Sequence, residues 1–220
     1  MYKLKPFKHS SHDKIISLVK PNSKVLDVGC ASGYIAYLLK NKNCQVTGID
    51  IDEKYLEEAK NHCESVHLLD ISKMSKEGKK IKGIFDVIIL GDILEHTSHP
   101  HEILINLKEN LKDEGIMIIS VPNIVNLYAR IKIISGNFDY EDKGIFDRTH
   151  LRFFTIKSLK KLVNKCGFEI KRIDFTPIPI KLIFKESPDV MNSSLHLLAN
   201  IHPNLFAYQI IATIKKIKVN

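Results

Sequence analysis

The chain has 220 residues, 44% hydrophobic and 26% charged, enough to bury a full core without disulfides or a structural metal, and we expect one soluble domain, 1–220. No run of eighteen uninterrupted apolar residues occurs and Met1–Ser10 holds three lysines, so neither a membrane span nor a signal peptide is expected; four cysteines without a Cys-x-x-Cys pair point to the cytoplasm. The net charge of +8 rests on lysines such as Lys73, Lys76, Lys79, Lys80 and Lys82, with no aromatics interleaved, which argues against a nucleic-acid partner.

In chain order, His12–Val19 reads as a short helix. Val25, Leu26 and Val28 form a short buried strand, Gly29 and Gly33 break it, and Tyr34–Lys40 resumes with helical spacing. A second apolar run, Gln45–Asp50, ends in an acid; Asp52–His62 follows as a helix with Asp and Glu in its first turn, where the helix dipole favours them. Val66–Leu69 is a third strand, ending at Asp70. Ile84–Leu90 is nearly unbroken apolar, the pattern of a strand buried on both faces, and it runs into Gly91-Asp92-Ile93-Leu94-Glu95-His96. Ile103–Leu111 has helical periodicity, and Gly115–Val121 gives a fifth strand closed by Pro122-Asn123.

Asn126–Ile134 reads as a helix, whereas Ser135–Arg152 has no periodicity; 136–154 is expected to be an insert at the active site, because a loop this long in a compact domain is usually functional. Thr155–Cys166 returns to helix with Gly167 as its cap, Phe168–Phe175 alternates as a sixth strand, and Phe206–Ile214 reads as a seventh. Between those strands Pro177, Pro179 and Pro188 interrupt the chain. Leu195, Leu197, Leu198 and Ile201 then space an apolar stripe in 177–204, which can serve as core, close over a site as a lid, or pair two copies as a homodimer. Strands alternating with helices predict an α/β fold, a doubly wound, mostly parallel sheet.

A strand, a glycine turn and a helix place helix N–H groups at the carboxyl edge of such a sheet, where a nucleotide-like cofactor binds. The turn is not a dinucleotide fingerprint, since Gly29-Cys30-Ala31-Ser32-Gly33-Tyr34 has Ala and Tyr where that pattern has glycines. The run VLDVGCASG, followed by VTGIDID, resembles the class I S-adenosylmethionine-dependent methyltransferases. That resemblance implies a Rossmann-like seven-stranded sheet with its last strand antiparallel. It also implies a loop of Asp27, Gly29, Cys30, Ala31 and Gly33 against the methionine part of the cofactor, with Asp50 holding the ribose hydroxyls. Ala31 adds one methyl where backbone and ligand meet. Asp70 is either the contact to the adenine amino group or a turn cap, and Ile51, Ile71, Gly91 and Asp92 complete the implied cofactor set. The runs Asn137–Tyr140 and Gly144–Thr155 look like a bacterial branch related to ubiquinone-biosynthesis O-methyltransferases and often encoded with polysaccharide enzymes. The implied reaction is O-methylation of a small molecule or a sugar or glycan precursor, leaving S-adenosylhomocysteine.

A hydroxyl acceptor gains from losing its proton, and histidine is the natural base at neutral pH. Of ten histidines, His96 and His150 fall in segments at the catalytic edge; His150 stands between Arg148 and Arg152, cations that would keep it neutral. Asp92, Glu95 and His96 stand at i, i+3 and i+4, so a helical turn would put them on one face and His150 could join them around a divalent metal. Such a set is similar to the metal site of small-RNA 2′-O-methyltransferases; the metal-free reading is preferred. A further alternative is a degenerate methyltransferase fold that acts as a partner in a biosynthetic complex, motivated by Ala31 and by 177–204.

Overall fold

The computed structural model describes residues 10–74, 78, 80–178 and 189–218. Lys76, Lys79, Pro179, Pro188 and most of Met1–Ser10 lie outside them, as does 179–188 of the segment between the last two strands. Seven strands form one sheet, β1 (Lys24–Val28), β2 (Gln45–Asp50), β3 (Ser65–Leu68), β4 (Phe85–Gly91), β5 (Leu111–Pro122), β6 (Phe168–Thr176) and β7 (Gln209–Lys216), in the order β3-β2-β1-β4-β5-β7-β6. The first five run parallel, and β7 is antiparallel to both β5 and β6. This is the Rossmann-like arrangement expected.

Consecutive residues of the central strands enter opposite cores. Leu26, Val28, Ile88, Leu90 and Ile119 pack with α4 (Pro100–Lys108) and α6 (Ile156–Lys165), while Val25, Val87, Ile89 and Ile118 pack with α1 (Ser11–Leu18) and α2 (Tyr34–Leu39). A strand covered on both faces has little room for polar alternation, which is why Ile84–Leu90 reads as a nearly unbroken apolar run with Asp86 alone polar. The register then sets the functional edge: Val28 pairs with Ile49 and with Leu90, so Gly29, Asp50 and Gly91 arrive level at the carboxyl ends of three neighbouring strands.

Local chemistry fixes most element ends. Asp52 caps α3 (Glu53–Ala59) by accepting from the Lys54 N–H, and Asn126 caps α5 (Leu127–Ile134) through the Ala129 N–H. Thr155 and Ser158 form a reciprocal capping box on α6, and Gly167 at φ 72° turns the chain into β6. Several boundaries differ from the sequence expectation. The fourth helix starts at Pro100, which supplies a preset φ at the first turn, and ends at Lys108, so that Leu111 already belongs to β5. Helix α3 stops at Ala59 rather than His62. The residues before β7 form two helices, α7 (Asp189–Ile201) and α8 (Pro203–Phe206), so Phe206 ends a helix instead of opening the strand. On α7, Leu197, Leu198 and Ile201 are exposed while Leu195 is half-buried and Ala199 buried, so most of the apolar stripe stays outside the core.

Candidate functional site

Two cavities open at the carboxyl edge of the sheet. The larger, about 500 Å³, lies across the ends of β1 and β2 and is lined by Val28, Gly29, Asp50, Ile51, Asp70, Ile71, Ser72, Ile93, His96, Thr97 and Thr149 among others. That volume falls within the roughly 300–1,000 Å³ of small-molecule sites. Gly29, at φ 74°, has no side chain because a Cβ there would meet the Ile93 Cδ1 at 2.1 Å. The glycine turn is tied to β2: the Gly29 and Cys30 N–H groups both donate to the Ile49 carbonyl (2.7 and 3.0 Å), and the Ala31 N–H donates to Asp50 Oδ2 (2.8 Å). Asp50 Oδ1 accepts from the Asp52 N–H at 3.0 Å. Each carboxylate oxygen thus keeps a lone pair for a ligand.

Asp27, two positions before Gly29, is 1% exposed, and its Oδ2 has no hydrogen-bond partner among the described residues. Burial, and then the charge of Asp50, pushes its pKa up to about 7. At the far side, burial pushes Asp70 up, but the Ser72 N–H and hydroxyl on its Oδ1 (2.9 and 2.6 Å) and the Lys73 ammonium at 3.2 Å outweigh this and leave it lowered.

The smaller cavity, about 230 Å³, is lined by Asp92, Glu95, His96, Pro122, Gly144, Asp147, His150, Tyr208 and Gln209. Four separate segments build it. Leu94–His96 is a 3₁₀ turn after β4 that buries Glu95 to 1% exposure; the Glu95 carbonyl accepts from the Leu151 and Arg152 N–H groups (2.8 and 3.0 Å), which ties the irregular segment to this edge. The His96 and His150 rings meet edge to face, with centroids 4.8 Å apart. Because β7 is antiparallel, its first residues come to the same edge, where Gln209 pairs with Pro122 in register. Asn123, fully buried, anchors this corner: its N–H donates to the Tyr208 carbonyl and its side chain to the Pro203 and Ala207 carbonyls. His96 walls both cavities, so a group bound in one faces a group bound in the other.

The methyltransferase-domain family model matches residues 9–173. The chain belongs to that family. Among curated relatives, the ubiquinone biosynthesis O-methyltransferase of Coxiella burnetii is 30% identical over 178 residues, covering 76% of this chain and 72% of that protein. A SAM-dependent methyltransferase from Archaeoglobus fulgidus superposes with a TM-score of 0.64 at 23% identity, over 92% of this chain and 90% of the other. Magnesium protoporphyrin IX methyltransferase from Synechocystis PCC 6803, solved with bound SAH, gives 0.62 at 18% identity, over 93% and 81%.

The methyltransferase fold gathers Gly29, Asp50, Ile51, Asp70, Ile71 and His96 around the larger cavity, with Ile51 a 70% exposed apolar rim. Asp27, Cys30, Ala31, Gly33 and Gly91 are not among its walls. Cys30 is buried beneath β2, where its thiol and that of Cys63 fill the space over Gly48. Ala31 is exposed at φ 44°, so the cost of its methyl falls on the backbone rather than on the ligand space. Gly33 opens α2 at φ 78° with no side-chain cap, and a Cβ there would press on the Ala59 backbone at 3.0 Å.

Two expectations are corrected. Asp92 does not share a helical turn with Glu95 and His96: at φ 57° it precedes the 3₁₀ turn, and its carboxylate accepts from the Ser120 hydroxyl and the Gln209 amide, pointing toward β5 and β7. The arginines flanking His150 turn to other partners. Arg148 pairs with Asp142 at 2.5 Å, and Arg152 donates to the Ser98 carbonyl at 2.7 Å. Sequence reasoning missed Ile93, Thr97 and Thr149 in the larger cavity and Tyr208 and Gln209 in the smaller. The first three adjoin residues already singled out, whereas the β7 pair carries no local signal.

Proposed function

We propose that this methyltransferase moves the methyl group of S-adenosylmethionine to an oxygen of a small molecule or a sugar precursor. The observation that carries the reading is the meeting of the two cavities at His96, one with a strand-end carboxylate suited to a diol, the other with three carboxyls and two imidazoles. The larger cavity fits the cofactor on two counts, its volume and the free lone pairs on Asp50, and Gly29 leaves bare backbone at its wall. When bound, the cofactor supplies a methyl carbon on a positively charged sulfur that leaves as a neutral thioether.

The protein's contribution is then position and proton. Holding the acceptor oxygen in line with the methyl carbon can supply about 7–11 kcal/mol of the barrier. Burial, and next the neighbouring His150, lowers the pKa of His96, so its imidazole is neutral at pH 7 and can take the hydroxyl proton as the carbon–oxygen bond forms and the carbon–sulfur bond breaks. Oxygen as the acceptor atom is favoured by the Coxiella relative, which is named as an O-methyltransferase. Titration calorimetry tests the first half of the proposal: S-adenosylhomocysteine binds the wild type, and Asp50→Ala weakens it by at least about tenfold, 1.4 kcal/mol. Equal binding in the variant, or none in the wild type, overturns it.

A further inference from the structure

The smaller cavity is short of hydrogen-bond donors. Its walls include the carboxyls of Asp92, Glu95 and Asp147 and no lysine or arginine, although the chain as a whole carries a net charge of +8. Glu95 is 1% exposed, and neither of its oxygens has a hydrogen-bond partner among the described residues. Gln209, on β7, adds a second case. It is 7% exposed, its amide nitrogen donates to Asp92 Oδ1 and to the Ser120 hydroxyl, and its Oε1 is left without a partner. A buried polar group in this state costs about 1–3 kcal/mol, and a charged one more.

The imidazoles add acceptors of their own. His150 Nδ1 stands 3.0 Å from the Ile145 carbonyl, which can only accept, so Nδ1 carries the hydrogen and Nε2 the lone pair. His96 Nδ1 stands 3.0 Å from the Thr149 hydroxyl, and that hydroxyl spends its own hydrogen on Asp147 Oδ1 at 2.6 Å. Nδ1 of His96 is therefore a donor as well, and its Nε2 holds the lone pair.

A ligand that satisfies such walls brings hydrogens and positive charge. A hydroxyl brings one hydrogen together with lone pairs that face the carboxyls, whereas an ammonium brings three hydrogens, a full charge and no lone pair. An anionic acceptor meets three carboxyls with no counter-charge. The state of the carboxyls agrees. Burial raises the pKa of Asp92 to about 6, and burial, then repulsion from Asp92, raises that of Glu95 well above the ordinary range, so Glu95 holds its proton unless a cation offsets both causes. One side-chain oxygen or nitrogen each of Glu95, His96 and His150 lies within 4.8 Å of the other two. A hydroxyl and an ammonium on neighbouring carbons stand about 3 Å apart, and hydrogen bonds of about 2.8 Å carry the one to His96 and the other to Glu95 across that span.

Resting on the methyl transfer proposed above, we propose that the acceptor is a 1,2-amino alcohol of the amino-sugar kind. Its protonated amine binds Glu95 and Gln209 Oε1, with Asp92 and Asp147 adding negative charge nearby, and its adjacent hydroxyl faces His96. As an ammonium the nitrogen has no lone pair, so the methyl group goes to the hydroxyl oxygen. The hydroxyl proton passes to His96 as the carbon–oxygen bond forms and the carbon–sulfur bond breaks. The carboxyls also offset the repulsion between the ammonium and the cofactor's sulfonium on the other side of His96.

The test loads the full chain with S-adenosylhomocysteine and follows ligand binding by NMR at matched ionic strength. Glucosamine, galactosamine and trans-2-aminocyclohexanol are compared with glucose, galactose and trans-cyclohexane-1,2-diol, their uncharged counterparts. We expect at least one amine to bind at least about tenfold more tightly than its counterpart, and Glu95→Gln to remove most of that preference. S-adenosylhomocysteine binding and thermal unfolding show whether each variant is folded; should Glu95→Gln fail to fold, the wild-type ratio and its fall in Asp147→Asn decide. Amines that bind no better than their counterparts, a preference unchanged in the folded variants, or no binding of any amine at tens of millimolar overturns the inference. If S-adenosylhomocysteine binds and the preference is absent, methyl transfer to an uncharged acceptor stands and only the amine falls. If S-adenosylhomocysteine does not bind, the proposed function falls and the amine with it.

Discussion

Replacing Asp27 by Asn probes a strained, buried ionisation at the end of β1. The carboxyl is 1% exposed, its Oδ2 lacks a partner, and burial followed by Asp50 raises its pKa from 3.8 to about 7. A folded-state pKa above the unfolded one means that the native protein holds a proton which the unfolded chain releases. The stability linked to Asp27 is therefore intact below about pH 4 and is lost as pH rises toward 7. A lift of roughly three units at 1.36 kcal/mol each gives a loss of about 3 kcal/mol by pH 6 and about 4 kcal/mol by pH 8. Asn has nearly the same shape and no charge to bury, so the variant escapes the loss. Denaturant unfolding of both proteins from pH 4 to 8 reads the difference directly, with the gap widening as pH rises. Parallel stability curves for the two proteins across this range refute the reasoning.

Ala31→Gly relieves a left-handed backbone at φ 44°, and the strain released, less the flexibility that glycine adds to the unfolded chain, leaves a gain of up to about 1 kcal/mol in unfolding free energy. A variant less stable than wild type contradicts that account. Gly48→Ala drives a methyl to 2.7 Å from Cys30 Sγ and 3.1 Å from Cys63 Sγ and should cost about 1–3 kcal/mol. Adding Cys30→Ala recovers part of that loss, and no recovery means the clash lies elsewhere. For His96, burial and then His150 hold the imidazole below its ordinary 6.5, so its carbon-bound ring protons followed by NMR titrate with a midpoint under that value. A midpoint at or above 6.5 removes His96 as a neutral group at physiological pH.

What was legible in the sequence was what local chemistry controls. Val25–Val28 followed by Gly29 and Gly33 could only be a strand breaking into a helix, Ile84–Leu90 could only be a strand covered on both faces, and Thr155 with Gly167 bracketed α6 through capping and a positive φ. Acids at strand ends marked the edge because register, once the strands are parallel, brings their ends level. What the chain order concealed was decided by contacts between distant residues. Gln209 reaches Asp92 across 117 positions only because β7 inserts antiparallel between β5 and β6, and this contact draws the Asp92 carboxylate away from Glu95 and His96. His150 meets His96 because the Glu95 carbonyl receives the Leu151 and Arg152 N–H groups, and the arginines beside it in sequence turn instead to Asp142 and Ser98. Periodicity and capping act over one or two turns of chain, so they fix elements and their ends; the direction in which a side chain leaves an edge depends on which strand becomes its neighbour, and packing alone determines that.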